Sequence, residues 1–156
     1  MISDTSEDSV ISIDRSITLD LNGYEIVNNV QGDRLFNVTA AEFTVNGTQV
    51  SSEMTIPESN TGSYGFIKVA DQSVVTLNGG TYAGDTDNGA FVKNFRNEDI
   101  DASGSTVIFN DVSMTSNNRF FSTDTLTTAA DVQTLQVTGG NYVTDGMAFG
   151  IDTFNI

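Results

Sequence analysis

One short pattern recurs along this chain and restricts its fold more than any other feature. It reads apolar, any residue, apolar, then Asn or Thr, usually Gly, with a further large apolar residue five places after the second apolar one. The copies are Leu19–Ile26, Phe43–Val50, Val75–Tyr82, Val107–Met114 and Leu135–Tyr142, and the second apolar residue advances by 24, 32, 32 and 28 positions. A second pattern is interleaved with it. It occurs six times, at Val10–Ile13, Leu35–Val38, Phe66–Val69, Phe91–Asn94, Phe120–Thr123 and Ala148–Ile151, with anchors at Ile11, Phe36, Ile67, Val92, Phe121 and Phe149. Alternation with period two marks each piece as a strand. Recurrence at this interval is the mark of a structure built by stacking equivalent units.

Each period holds three short strands: the six-fold strand, the apolar-any-apolar strand, and a short strand after the Asn-Gly. A two-residue Asn-Gly hairpin would pair neighbours within a period, which leaves the long recurrence without a cause. Stacked coils of three strands explain it directly. The composition agrees, with one proline, Pro57, and an excess of Ser, Thr, Asn, Asp and Gly among 156 residues. These residues favour turns over helices. No segment has convincing helical periodicity, and residues 1–156 read as a single domain.

In this register Asn22, Asn46, Asn78 and Asn110 stack at one corner, each side chain bonding the next, with Thr138 ending the row. Asn tolerates the left-handed backbone that such a corner is expected to need. An asparagine ladder between the second and third strands of each coil resembles that of the right-handed parallel β-helix of the pectate-lyase-like superfamily, and the likeness extends from Val10 to Ile151. The resemblance implies an all-β solenoid of about five coils. It also implies a choice of functions, since that superfamily includes polysaccharide lyases and hydrolases, phage tailspikes and fibres, and bacterial adhesins. Fold alone does not choose among them.

Twenty-one acidic residues against six basic ones give a formal charge of −15. Phosphate recognition needs clustered Lys and Arg, so a nucleic-acid partner is excluded, and insertion into a membrane has no apolar run to support it. The chain has no Cys, His or Trp. Disulfides, the usual zinc and copper sites, and His- or Cys-based catalysis are thereby removed. No cofactor is expected.

Candidate sites fall on the six-fold strand. With its anchors pointing inward, the preceding residues Leu35, Phe66, Phe91 and Phe120 are expected to point outward, and exposed apolar columns mark contact faces. All six bases, Arg15, Arg34, Lys68, Lys93, Arg96 and Arg119, lie between two residues before and four after an anchor. Leu35, Phe66, Phe91 and Phe120 with Arg34, Lys68, Lys93 and Arg119 therefore form the expected interface or ligand-binding face. It would serve either a homotrimer packed about this strand or an anionic glycan.

Asp124 and Asp152 are weak catalytic candidates, because stacking would bring equivalent carboxylates within the ~5–5.5 Å that suits a retaining glycosidase; two turn-capping aspartates are the plainer reading. Asp85 and Asp87 faintly match a calcium loop but lack its later ligands. The polar stretch Ser51–Gly65 reads as a loop. Neither end carries a recognisable cap, so the sequence is read as a segment of a longer protein or as one whose ends abut other subunits.

The leading expectation is a non-catalytic structural or attachment module of a virion fibre, spike or decoration protein, at the virion surface or otherwise extracellular. It would act by rigid display and adhesion, with surface glycans as one partner. The alternatives are a polysaccharide lyase or hydrolase, or a glycan-binding fragment of one, and a module of a bacterial surface adhesin.

Overall fold

The structure, a computed structural model, describes residues 4–87, 89–94, 104–123 and 134–150, the side chain of Asn94 excepted. Among these residues the chain is all β. A leading strand β1 (Thr5–Glu7) is followed by β2 (Ile11–Ile13), β3 (Ile17–Asp20) and β4 (Glu25–Asn28). The next coil is β5 (Arg34–Thr39), β6 (Glu42–Gly47) and β7 (Glu53–Thr55), and the one above it β8 (Gly65–Ala70), β9 (Val74–Gly79) and β10 (Thr81–Ala83). Then come β11 (Ala90–Asn94), β12 (Thr106–Asn110), β13 (Ser113–Ser116), β14 (Arg119–Thr123), β15 (Thr134–Thr138), β16 (Asn141–Thr144) and β17 (Phe149–Gly150).

Three sheets result, and every pairing in them is parallel. The first contains β2, β5, β8, β11, β14 and β17; the second β3, β6, β9, β12 and β15; the third β1, β4, β7, β10, β13 and β16. This is a parallel β-solenoid. The five strands of the second sheet are separated by four coil-to-coil steps, so the rod makes about four turns, slightly fewer than the five coils expected from the repeat.

In the first sheet the six-fold anchors stack without a slip: Ile11 on Phe36, Phe36 on Ile67, Ile67 on Val92, Val92 on Phe121, and Phe121 on Phe149. In the second, Val45, Leu77, Phe109 and Val137 form one column and Asn46, Asn78, Asn110 and Thr138 the next. The Asn78 amide donates to the Asn46 carboxamide oxygen at 2.9 Å, and Asn110 donates to that of Asn78 at 2.8 Å.

The lowest coil departs from the expected register. Leu19, not Leu21, pairs with Val45, and Asp20 takes the ladder position opposite Asn46. Asn22 is therefore outside the ladder and exposed. The cause is corner length. The chain takes four residues from Asn78 to Tyr82 and from Asn110 to Met114, but six from Asp20 to Ile26 and eight from Asn46 to Met54, and these four end residues share one third-sheet column. A slip of two residues preserves the alternation of faces, so the lowest strand accepts it. The longer second corner leaves Val50 at 91% exposure, while Met54 takes the buried place expected for it. Ser51–Gly65 is accordingly no simple loop. It contains β7, and Met54, Ile56, Asn60 and Ser63 within it are buried.

The left-handed residue of the ladder corner is also not the asparagine. Gly79, Asp111 and Gly139, each directly after the ladder position, have φ of 63°, 54° and 72°. Of the four asparagines only Asn22, the one outside the ladder, is left-handed, at φ 47°. Glycine follows asparagine here because it adopts that conformation without steric cost, leaving the Asn side chain in place to bond along the stack.

Candidate functional site

The first sheet and the corner leading into it hold most of the sequence-predicted site residues, but not in the expected orientation. Leu35, Phe66, Phe91 and Phe120 are at most 1% exposed. They line the core and do not form an outward apolar face, so the expectation built on their exposure is corrected. The physical reason is a bend at the start of β5, β8, β11 and β14. The ladder pairs Arg34 with Gly65 and Phe36 with Ile67 but is interrupted at Leu35 and Phe66; it is interrupted in the same way at Phe91 and Phe120. Strict alternation of faces is lost there. Phe66 turns toward the third sheet and meets the ring of Tyr82 edge-on at 6.1 Å, while Phe36 turns toward the second and meets Phe43 at 4.9 Å. Phe66, Phe91 and Phe120 stack on one another with centroids 4.8 and 5.9 Å apart. The bend brings neighbouring backbones close. Gly65 has φ 127°, and a Cβ there would lie 2.1 Å from the Ala90 carbonyl oxygen.

The bases divide. Arg34 is 2% exposed, donates through Nε to the Ala90 carbonyl at 3.3 Å, and lies 6.0 Å from the Tyr64 ring centre. It is a structural residue of the bend. Lys68 and Lys93 are direct register neighbours on the outer face, with Asn37 below and Ser122 above. Gly150 continues this column above Ser122. A Cβ on Gly150 would lie 2.8 Å from Arg119 Cδ, so the Arg119 side chain covers that position. The outer column therefore runs amide, ammonium, ammonium, hydroxyl, guanidinium. Arg119 Nε and Asn37 Oδ1 are buried atoms without a hydrogen-bond partner among the described residues.

Beside this sheet, at the corner from the third sheet, lies a groove of about 300 Å³ lined by Glu58, Asp85, Asn117, Asp145, Ser116 and Val143 among others. All three carboxylates are exposed. The Asp85 carboxylate accepts the Asn117 backbone N–H of the coil above at 3.1 Å, and the Asn117 side-chain oxygen accepts the Thr86 N–H at 3.1 Å. Asp85 thus caps the next corner. No group of three metal-ligating side chains occurs among the described residues, and the calcium reading of Asp85 and Asp87 finds no cluster to support it. Asp124 and Asp152 lie outside the described residues.

Sequence reasoning missed the buried polar network below the groove. Asn28 donates to Ser63 Oγ at 3.2 Å and to the Gly65 carbonyl at 2.9 Å, and Asn60 donates to the carbonyls of Asn28 and Val30, each at 3.0 Å. Buried backbone acceptors must be met, and these two asparagines meet them where the corner leaves the ladder. Neither belongs to the repeated pattern, so periodicity held no signal for them.

The fold defines the class of protein: an all-parallel β-solenoid with an internally bonded asparagine corner and a charged outer face. In comparison with known proteins the chain matches no family model, no curated sequence and no solved structure.

Proposed function

We propose that this chain is a non-catalytic structural and attachment module, a rigid rod of the kind that serves in a virion fibre, spike or decoration protein, working by display and adhesion at a virion or cell surface. One observation carries the reading: all three sheets stack in parallel register through the described coils around a filled apolar core. Bending such a rod requires breaking ladders in three directions together, so the architecture favours holding surfaces at fixed spacing. Surface glycans suit it as ligands, because the second sheet presents half-exposed hydroxyl and amide side chains in rows, such as Thr44 beside Thr76 and Asn46 beside Asn78.

The test is to incubate the protein with neutral and acidic polysaccharides, measuring retention on the polymer and release of new reducing or unsaturated ends. Retention without product is expected. Sustained product release would overturn the reading in favour of a lyase or hydrolase.

A further inference from the structure

We propose that the outward face of the second sheet is the surface by which this rod adheres, and that it takes a neutral polysaccharide laid along the rod axis. The inference rests on the attachment reading and deepens it by naming the face and the class of ligand.

Charge singles out the face. The chain has 21 acidic residues, yet the strands of the second sheet contain only Asp20 and Glu42 and no base. The strands β9, β12 and β15 hold no charged residue. Their inward residues Val75, Leu77, Val107 and Phe109 are buried, so the alternate residues face outward. Thr76, Ile108 and Gln136 form one outward column, and Val74, Thr106 and Thr134 another. Covering an ionised group without a partner is costly, and covering these residues carries no such cost. The net charge of −15 disfavours a polyanion over the molecule as a whole. A neutral polymer meets neither obstacle here.

The lower end of the face supplies an anchor. Ser16, Ile17, Thr18, Glu42 and Thr44 line a shallow notch of about 160 Å³. The Glu42 backbone N–H donates to Ser16 Oγ at 3.3 Å, which leaves the Ser16 hydroxyl proton for an outside acceptor. The Glu42 side chain is exposed, and an ionised carboxylate only accepts, so a ligand must bring donors to it. Adjacent hydroxyls of a sugar ring bring two, in charge-assisted bonds stronger than neutral ones. A uronic or sulfated sugar brings like charge instead. A bare metal ion finds no group of three ligating acidic side chains among the described residues. Ile17, 37% exposed, offers apolar contact to the ring.

From the notch the track runs along the axis. Thr18, Thr44 and Thr76 are direct register neighbours, ~4.8 Å apart. Beside them Asn78 uses one of its two N–H donors on Asn46, and the other remains. Successive coils thus repeat hydroxyl and amide groups in one direction. A chain lying in that direction is held by several weak contacts at once, and their linkage strengthens the whole.

The experiment is co-sedimentation of the whole chain with beads carrying neutral glucan, mannan or galactan, and with beads carrying polygalacturonate. Retention is expected on at least one neutral polymer. Added salt is expected to leave it unchanged, and long chains are expected to compete better than short oligosaccharides. Glu42→Gln is expected to weaken retention at least about tenfold. Thr44→Val and Thr76→Val, which keep the β-branched shape, are each expected to weaken it several-fold. Glu53→Gln, on the third sheet, is expected to change nothing. Far-UV circular dichroism checks folding, and the two threonine variants decide the matter if Glu42→Gln misfolds.

Retention on polygalacturonate alone, lost with salt and indifferent to Glu42→Gln, overturns this inference and leaves the attachment reading standing. Loss of retention with Glu58→Gln in place of Glu42→Gln moves the ligand to the groove and also overturns it. A dimer that Thr76→Arg dissolves assigns the face to a second copy, with the same result. Retention on none of the polymers overturns both the inference and attachment to glycans.

Discussion

Asn78 is bonded on both sides along the ladder, whereas Asn22 has the same Asn-Gly dipeptide and no place in it. Removing the Asn78 carboxamide strands a donor on Asn110 and an acceptor on Asn46. Asn78→Ala is expected to cost about 1–3 kcal/mol, measured by urea unfolding. Asn22 is exposed and left-handed, a conformation glycine prefers, so Asn22→Gly is expected to change stability by no more than about 0.5 kcal/mol.

Tyr82 makes a different case at the same scale. Its ring is buried and its hydroxyl has no hydrogen-bond partner among the described residues. Burial raises its ionisation well above the ordinary 10.0. The unfolded chain then loses this proton before the folded one does, so the residue's contribution is complete below pH 10 and falls as pH rises beyond it. Tyr82→Phe is expected to be neutral or stabilising by up to about 1–2 kcal/mol near neutrality, and to flatten the alkaline limb of a stability-against-pH curve.

The first-sheet strands show most clearly what a repeat does and does not specify. The recurring pattern aligned all six anchors although their spacing varies between 25 and 31 residues, and the observed register agrees at every step. Facing was not legible, because alternation assumes a straight strand, and these strands bend where they leave the corner. Phe91 lies between Phe66 and Phe120 in the aromatic stack. Phe91→Ala is therefore expected to cost about 3–5 kcal/mol; an exposed contact residue would change by a few tenths, and thermal unfolding separates the two. The first coil's register was misread for a related reason. Its corner is longer than the short ones that define the pattern, and only side-chain packing around Leu19 and Met54 could choose the alignment.

At the scale of the whole molecule, net charge opposes the compact state. Repulsion within a chain of charge −15 is screened by salt, so the unfolding temperature of the isolated chain is expected to rise with ionic strength. Thermal unfolding across a salt series checks the sign. Stacked coils touch only their neighbours, and the effects of substitutions several coils apart are expected to add.

From the residues alone came the solenoid, its three strands per coil, the stacking of the first-sheet anchors and the upper part of the asparagine ladder. Those follow from period, and period survives in a linear code. Of the residues assigned to the candidate face, Lys68, Lys93 and Arg119 lie along the outer column of the first sheet, while Leu35, Phe66, Phe91, Phe120 and Arg34 are inside. Which side a residue shows depends on where the backbone turns and how closely the next coil approaches, as the Ala90 carbonyl approaches Gly65. The gathering of Glu58, Asp85 and Asp145 along one groove likewise exists only once the coils are stacked. Distances between coils are set by packing, and packing has no period to read.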